Sequence, residues 1–230
     1  MPGPSSSIFA LQWSGGNSVL RLAIFGATGL TGRLVVQKAL SQGNQVVALV
    51  RDPRRIAITH PSLTVIGGSP IVRDDVDRCV GGAHVVIHCL GIGGKGNGLQ
   101  STLISDSVGV ILSVMEERGV PRIVCMSNVG AGGSGTWFAN RIVIPLFLRW
   151  LIPIIEDKNR MEAMLARSKV QWVSVRLPNI VEGPEKPIRV SSDGRGIGLS
   201  ITANSVAGFL LEQVASSRFV YSTPSIGNSF

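Results

Sequence analysis

The sequence predicts an α/β protein: a doubly wound, mostly parallel sheet with helices on both faces and a small irregular cap at the C-terminal end. Three observations carry this expectation. Short apolar runs rich in β-branched residues recur along the chain, amphipathic stretches of helical period separate them, and a glycine-rich loop joins the first run to the first helical stretch. Parallel strands buried on both faces read as continuous apolar runs, and strand–helix–strand units close in the right-handed sense.

Taken in order, strands are expected at Leu20–Phe25, Gln45–Val50, Leu63–Ile66, His84–Cys89 and Arg122–Met126, with helices over Leu30–Ser41, Val72–Val80 and Leu99–Arg118 between them. Gly119-Val120-Pro121 stops the third helix and starts the next strand, since glycine accepts the left-handed helix end and proline cannot continue the helix. Beyond residue 130 the pattern loosens. A helix is expected over Ile155–Arg167 and a strand over Gln171–Val175. An extended stretch runs from Arg189-Val190 to Leu199–Ile201 and folds back through a turn at Asp193-Gly194. A helix over Ile201–Val214 and a last strand near Phe219–Ser222 complete the chain. Residues 1–18, rich in Pro, Ser and Gly, read as a flexible leader because no basic region precedes an apolar stretch. Residues 19–230 read as one domain.

Composition narrows the function classes. Of 230 residues, 44% are hydrophobic and 16% charged, which excludes a disordered chain. The net charge of +8 is spread along the sequence, aromatic residues are only 5%, and no basic run is interleaved with them. That pattern argues for a phosphorylated small ligand and against nucleic acid. The three scattered cysteines argue against a disulfide framework and fit a reducing, cytoplasmic setting. The most apolar window, Trp137–Ile155, is broken by Arg141, Pro145, Arg149 and Pro153. Its uninterrupted apolar runs fall short of the roughly 20 residues a membrane span needs. A lid over an apolar substrate or a subunit contact is expected there, leaving monomer and homodimer both open.

The strongest signal is Gly26-Ala27-Thr28-Gly29-Leu30-Thr31-Gly32-Arg33, with G-x-x-G-x-x-G spacing, directly after the first strand and opening the first helix. In that context the motif marks a Rossmann-type dinucleotide site. The first glycine permits the turn, the second lets backbone approach the diphosphate, and the third lets the helix pack closely. The helix N-terminus then offers free N–H groups to phosphate. Gly26, Thr28, Gly29, Leu30, Thr31, Gly32 and Arg33 are therefore the expected cofactor contacts of this loop. At the end of the second strand stands Arg51, where an NAD site usually places an acidic residue. Arg51 and Arg33 together are expected to clasp a 2′-phosphate, which favours NADPH over NADH. Asp52 argues the other way but is expected to cap the following turn, with Arg54 and Arg55 on a solvated face. Past the fourth strand, Leu90 and Gly91 open a loop with five glycines between residues 91 and 98. Such a strand-end loop lines the ligand crevice or forms a flap, and its Lys95 is more simply a solvated loop residue.

These residues resemble the atypical short-chain dehydrogenase/reductases. The resemblance rests on GATGLTGR, LVRDP, the run Asp157-Lys158-Asn159-Arg160-Met161-Glu162, Val175-Arg176-Leu177-Pro178-Asn179, and Ser192-Asp193-Gly194-Arg195-Gly196. It covers about residues 20–222. More narrowly, the chain is similar to the NAD(P)H-binding group that includes flavin reductase/biliverdin-IXβ reductase and the nitrogen-metabolite-repression regulators. The wider superfamily pairs a tyrosine with a lysine four residues on, and the lysine lowers the tyrosine pKa for proton delivery. Here the position four before Lys158 is Ile154, and the only tyrosine is Tyr221. The flavin-reductase-like members also lack that tyrosine and carry a histidine where Asn179 stands. They commonly carry Gly-Asp where this chain has Gly68-Ser69-Pro70.

The resemblance implies that Ser127, after the fifth strand, orients a substrate carbonyl or the nicotinamide carboxamide; the alternative is a serine that caps the next turn. It implies that Lys158 binds the nicotinamide ribose; the alternative pairs Lys158 with Glu162 on an exposed helix face. Pro178, Asn179 and Ile180 are expected beside the nicotinamide. Ser127, Lys158 and Asn179 are the candidate catalytic residues. His84 and His88 face one side of one strand and are expected as core residues, with no metal site. Cys89 and Cys125 are expected as buried thiols near the cofactor. The functional expectation is an NADPH-dependent oxidoreductase that transfers hydride to a conjugated or aromatic small molecule such as a flavin, quinone, tetrapyrrole or secondary-metabolite intermediate. The alternatives are a cofactor-sensing regulator or scaffold, and a redox-neutral isomerase or cyclase.

Overall fold

The computed structural model describes residues 19–91, 102–135, 146 and 149–229. The expected leader, the loop from residue 92 to 101 including Lys95, and most of the apolar window lie outside the described residues. Fifteen elements follow in chain order: β1 (Arg21–Phe25), α1 (Leu30–Ser41), β2 (Gln45–Val50), β3 (Leu63–Gly67), α2 (Arg73–Val80), β4 (Val85–His88), α3 (Leu103–Arg118), β5 (Arg122–Gly132), α4 (Ile152–Arg167), β6 (Gln171–Leu177), β7 (Asn179–Val181), β8 (Ile188–Ser191), β9 (Ser200–Thr202), α5 (Ala203–Ala215) and β10 (Ser225–Asn228).

Eight strands form one sheet in the order β3-β2-β1-β4-β5-β6-β10-β8, and β7 with β9 forms a separate parallel pair. Every pairing in the large sheet is parallel except β8 with β10. The chain runs outward from β1 to β3 and then returns to place β4 on the other side of β1. That reversal opens a crevice at the carboxyl ends of β1 and β4, where ligands bind in such sheets. Alternation along each strand divides the core. Leu22, Ile24, Val124 and Met126 pack with Val35, Val36 and Leu210 of α1 and α5. Ala23, Phe25, Ile123 and Cys125 pack with residues of α2, α3 and α4 on the opposite face. Gly119 ends α3 at φ +67°, the left-handed stop its sequence signalled. None of the described helices is long and apolar enough to cross a membrane.

Two expectations for the C-terminal part are corrected. The last strand is Ser225–Asn228, not Phe219–Ser222. Residues 217–222 are occupied by turn hydrogen bonds, Val220 N–H to Ser217 O and Ser222 N–H to Phe219 O, with Tyr221 at φ +60°. Only Ser222 bridges to the sheet, at Val173. The turn at Asp193-Gly194 forms, with the Asp193 carboxylate accepting from Ser191 Oγ at 2.8 Å and Arg195 N–H at 3.0 Å. The stretches it separates do not pair with each other, however. β8 joins β10 and β9 joins β7, because β10 takes the open edge of β6 and leaves β8 as its antiparallel neighbour.

Candidate functional site

Strand register brings the candidate residues to one edge. Phe25 is level with Leu49 and His88, His88 with Cys125, Cys125 with Ser174, and Ser127 with Arg176. The glycine loop, Arg51, Leu90-Gly91 and Pro178 therefore leave the sheet at the carboxyl ends of parallel strands, whereas Ser127, expected after the fifth strand, lies inside β5, which continues to Gly132 and still pairs Ser127 with Arg176.

The glycine loop is shaped by clearances that differ from position to position. Gly26 has φ +83°, and a Cβ there would lie 2.7 Å from the carbonyl carbon and oxygen of Cys89. A Cβ on Gly32 would lie 2.1 Å from Gly26 O, so the first turn of α1 sits directly on the loop. Gly29 is different. Its backbone is extended, at φ −79° and ψ 169°, and a Cβ would meet only Gly26 O, at 3.4 Å. Nothing among the described residues requires glycine at that position, and they leave space over Gly29 for a ligand. Gly29 is also the N-cap of α1, which has no side-chain cap and no acidic residue in its first turn. By contrast, α3 is capped from α4: Asp157 accepts from the N–H groups of Ile104 and Ser105 at 3.0 and 3.1 Å. The N-terminus of α1 keeps its partial positive charge uncompensated, as a phosphate site needs. Asp157→Ala is expected to cost about 1–2 kcal/mol through loss of the α3 cap, readable as a lower thermal midpoint.

At the end of β2, Asp52 caps a short 3₁₀ turn over Pro53–Arg55 by accepting from Arg54 N–H at 3.1 Å, and it also holds the Arg54 guanidinium at 2.9 Å. The arginine beside Asp52 keeps its carboxyl below the usual carboxylate range. Asp52 is thus engaged with its own turn, and Arg51 is exposed without an ion-pair partner among the described residues. The Arg33 guanidinium donates to Glu182 Oε1 at 3.1 Å, and on the same flank of α1 Lys38 pairs with Glu185 at 2.7 Å. Both side chains of the Arg33–Glu182 pair are largely exposed, at 53% and 77%, and Arg51 stands at the end of β2. At Gly68-Ser69 the missing acidic residue is partly replaced from α2, where Asp75 accepts from Ser69 N–H at 2.8 Å.

The inner end of the crevice carries buried charge. Lys158 is 3% exposed, which overturns the alternative of an exposed pair with Glu162. Its Nζ donates to Met126 O at 2.6 Å and to Leu90 O at 3.3 Å, tying α4 to the ends of β4 and β5. Burial pulls its pKa down to about 8, against the pull of Cys125, Asp157, Cys89 and Glu162. Glu162 instead holds Arg176 at 2.7 Å and accepts from Ser174 Oγ at 3.1 Å, each side chain of the ion pair being 10% exposed. Arg176 in turn lies beneath Gly132, where a Cβ would fall 2.1 Å from its guanidinium nitrogen. Gly132 N–H donates to Asn159 Oδ1 at 2.7 Å.

Ser127 is 2% exposed, and its Oγ has no hydrogen-bond partner among the described residues. It does not cap a turn. Native chains rarely bury a hydroxyl this way unless something outside the chain completes it. His88, fully buried, is bonded through Nε2 to Ser107 Oγ at 2.9 Å, while its Nδ1 has no partner. Burial, with the nearby Lys158 charge, lowers its pKa to about 3. His84 is exposed, and its Nδ1 accepts from Arg21 N–H at 2.9 Å. Cys79, Cys89 and Cys125 are free, buried thiols, with burial pushing Cys79 and Cys89 up to about 12 and Cys125 higher still. Among the described residues no three His, Cys, Asp or Glu side chains converge as metal ligands. Asn179 is exposed, and its N–H is committed to Leu199 O at 3.3 Å in the β7–β9 pair, so that group is not available to a carboxamide.

Sequence reasoning missed the Glu162–Arg176 pair and the Asp157 cap. A signal was present: Asp157, Lys158, Met161, Glu162 and Leu165 share one buried stripe of α4, so three charges lie on the apolar face at helical spacing.

The chain belongs to the NAD(P)H-binding family, whose model matches residues 26–217. It is similar to an uncharacterized protein of Mycobacterium bovis, at 29% identity over 68% of this chain and 14% of that protein. It is also similar to the photosystem II assembly factor Ycf39 of Synechocystis, at 21% identity over 71% of this chain and 46% of the factor. The chain therefore spans less than half the length of these relatives. Among solved structures it superposes on an epimerase-type protein of Bacteroides thetaiotaomicron with TM-score 0.78 and 18% identity, covering 93% and 99% of the two chains. A short-chain dehydrogenase/reductase of Veillonella parvula in complex with NADP gives 0.73 and 16%, covering 92% and 95%. The anaerobillin reductase ChuY of Escherichia coli O157:H7 gives 0.72 and 15%, covering 90% and 97%. The fold is that of the short-chain dehydrogenase/reductases.

Proposed function

We propose that the chain is an NADPH-dependent reductase of a flat, conjugated or aromatic small molecule. The observation that carries this reading is the buried, unpartnered hydroxyl of Ser127 within β5, one residue past the Met126 carbonyl that holds the buried ammonium of Lys158. In this reading Gly26, Thr28, Gly29, Leu30, Thr31 and Gly32 hold the diphosphate against the α1 N-terminus. Arg51 holds the 2′-phosphate. Leu90 and Gly91 lie along the cofactor backbone, and Pro178 and Ile180 flank the nicotinamide. When bound, the reduced nicotinamide supplies a hydride; the chain orients the acceptor and excludes water. Lys158 fixes the strand ends that frame the acceptor, and Ser127 offers it a hydrogen bond. The ChuY neighbour is an anaerobillin reductase, which supports this class of chemistry by analogy of fold. The buried thiols suit a reducing, cytoplasmic setting.

A second reading, a cofactor-sensing scaffold, is favoured by the exposed Asn179 and by the missing tyrosine. One experiment separates them: the purified chain with NADPH and a panel of flavins, quinones and linear tetrapyrroles, followed at 340 nm. Consumption with at least one acceptor supports the reductase; tight binding with no consumption by any acceptor supports the scaffold. Arg51→Ala tests the phosphate assignment. A charge-assisted bond to phosphate contributes about 1.5–3 kcal/mol, so NADPH affinity is expected to fall roughly tenfold to a hundredfold while NADH affinity stays constant. Equal weakening of both cofactors by calorimetry would remove Arg51 from that role.

A further inference from the structure

This inference rests on the reductase reading and concerns the source of the proton. We propose that Lys158, acting through the hydroxyl of Ser127, supplies the proton that accompanies hydride in the reduction of a neutral acceptor. Hydride adds to one end of the conjugated acceptor. The anion developing at the other end takes the proton of Ser127 Oγ–H, that O–H bond breaking as the new one forms. Ser127 Oγ and Lys158 Nζ are not in direct hydrogen-bond contact, so a water relays the next step: it gives a proton to the serine oxygen and takes one from Lys158 Nζ–H, and the neutral amine then regains a proton from solvent.

Four features of the structure lead here. First, no phenol is available, since Ile154 stands where a tyrosine would be and Tyr221 lies beyond β6 at the opposite end of its strands, its N–H bonded to Trp172 O. Second, Ser127 follows Met126, whose carbonyl receives the Lys158 ammonium at 2.6 Å, so one peptide separates the hydroxyl from the charge. Ser127 alternates with Met126 and falls in line with Cys125, on the face that α4 covers. Third, the ammonium has three donors, of which two are used, on Met126 O and Leu90 O. Fourth, the carboxylates that would fix Lys158 in a permanent ion pair are engaged elsewhere. Asp157 caps α3 and meets Arg160, and Glu162 holds Arg176 and Ser174.

The tautomer of His88 adds a detail. Ser107 Oγ donates to Ile104 O at 2.8 Å, so it accepts from His88, which places the ring proton on Nε2 and leaves Nδ1 as an acceptor without a donor. The groups around Lys158 are thus His88 and Cys89 from the β4 side, Cys125 from β5, Asp157, Arg160 and Glu162 from α4, and Arg176 from β6. Of these, the histidine and both thiols are neutral at pH 7. A lysine without a direct counter-ion, held near 8 by burial, is poised to give up a proton at neutral pH.

The test compares two acceptors: a neutral quinone, whose reduction takes up a proton, and N-methylacridinium, a cation that takes hydride without one. Ser127→Ala is expected to fold as well as the parent, because it removes an unsatisfied buried hydroxyl. It is expected to lower quinone turnover about a hundredfold more than acridinium turnover, and calorimetry with NADPH separates any cofactor defect from loss of the proton route. In the parent, quinone turnover should fall as pH rises through about 8, the ammonium being the acid form, and acridinium turnover should stay level. Lys158→Arg, charged at all these pH values, should abolish that fall. Independently of turnover, 15N-lysine NMR of the chain without cofactor should show one Nζ titrating near 8, with its midpoint displaced in Ser127→Ala. Equal loss with both acceptors, or loss with neither, overturns the proton route and leaves the reductase reading standing. Failure of the parent to reduce either acceptor while NADPH binds overturns the reductase reading and the proton route together.

Discussion

Gly32→Ala is expected to lose both cofactor binding and stability, and Gly29→Ala to lose binding alone. A Cβ on Gly32 would lie 2.1 Å from Gly26 O, 2.8 Å from Gly26 C and 3.1 Å from Ala27 Cα, all of them backbone atoms with no flexible end to swing aside. Overpacking a rigid contact costs about 1–3 kcal/mol and more where neither side can yield, so a loss of about 3 kcal/mol is expected. For a chain of this size that is a fall in thermal midpoint on the order of 10 °C. Relief comes only from lifting α1 off the loop, which moves its N-terminal N–H groups away from the diphosphate. Gly29 already has extended backbone that alanine adopts freely, and its Cβ would make ordinary contact at 3.4 Å. Gly29→Ala should therefore leave the thermal midpoint unchanged or slightly raised, since alanine has less freedom to lose on folding. Its methyl group would occupy the space meant for the phosphates, and NADPH affinity should fall at least tenfold by calorimetry. Unchanged affinity in Gly29→Ala would place the diphosphate somewhere else.

This contrast also shows what was legible in the sequence. G-x-x-G-x-x-G after an apolar strand is readable because backbone geometry makes glycine obligatory at Gly26 and Gly32, and chain-local constraints leave local patterns. The parallel strands were readable for the same reason, their apolar runs needing no knowledge of neighbours. The ion pair of Arg33 was not legible, because its partner, Glu182, is 149 residues away in the chain. The order of the last strands was misassigned because whether Phe219–Ser222 or Ser225–Asn228 joins β6 depends on turn hydrogen bonds and on a left-handed Tyr221, which no periodicity announces. The burial of Lys158 was legible in principle: Met161 and Leu165 define the apolar stripe of α4, and Lys158 lies on it. Its function as a tie between Leu90 and Met126 was not, since both acceptors are main-chain carbonyls, which leave no mark on residue type.

The second large effect is expected at the buried ion pair. Glu162 and Arg176 meet at 2.7 Å with each side chain 10% exposed, and Ser174 donates to the same carboxylate. Truncating one partner leaves the other charge without compensation in a poorly solvated place, which typically costs 3–5 kcal/mol. Glu162→Ala is therefore expected to lower the thermal midpoint by on the order of 10 °C. The damage should also reach the crevice, because Arg176 packs under Gly132 and is level with Ser127 in the β5–β6 ladder. A guanidinium freed from Glu162 is expected to disturb that edge, so NADPH turnover should fall even at temperatures where the variant is folded. The double variant Glu162→Leu/Arg176→Met removes both charges and fills the space with apolar side chains. It should be less destabilised than Glu162→Ala alone, since it leaves no charge uncompensated, only the neutral Ser174 hydroxyl without its acceptor. Thermal unfolding of the parent, Glu162→Leu, Arg176→Met and the double variant decides the point: if the double variant loses as much as the sum of the two singles, the two charges are held by separate surroundings and not by each other.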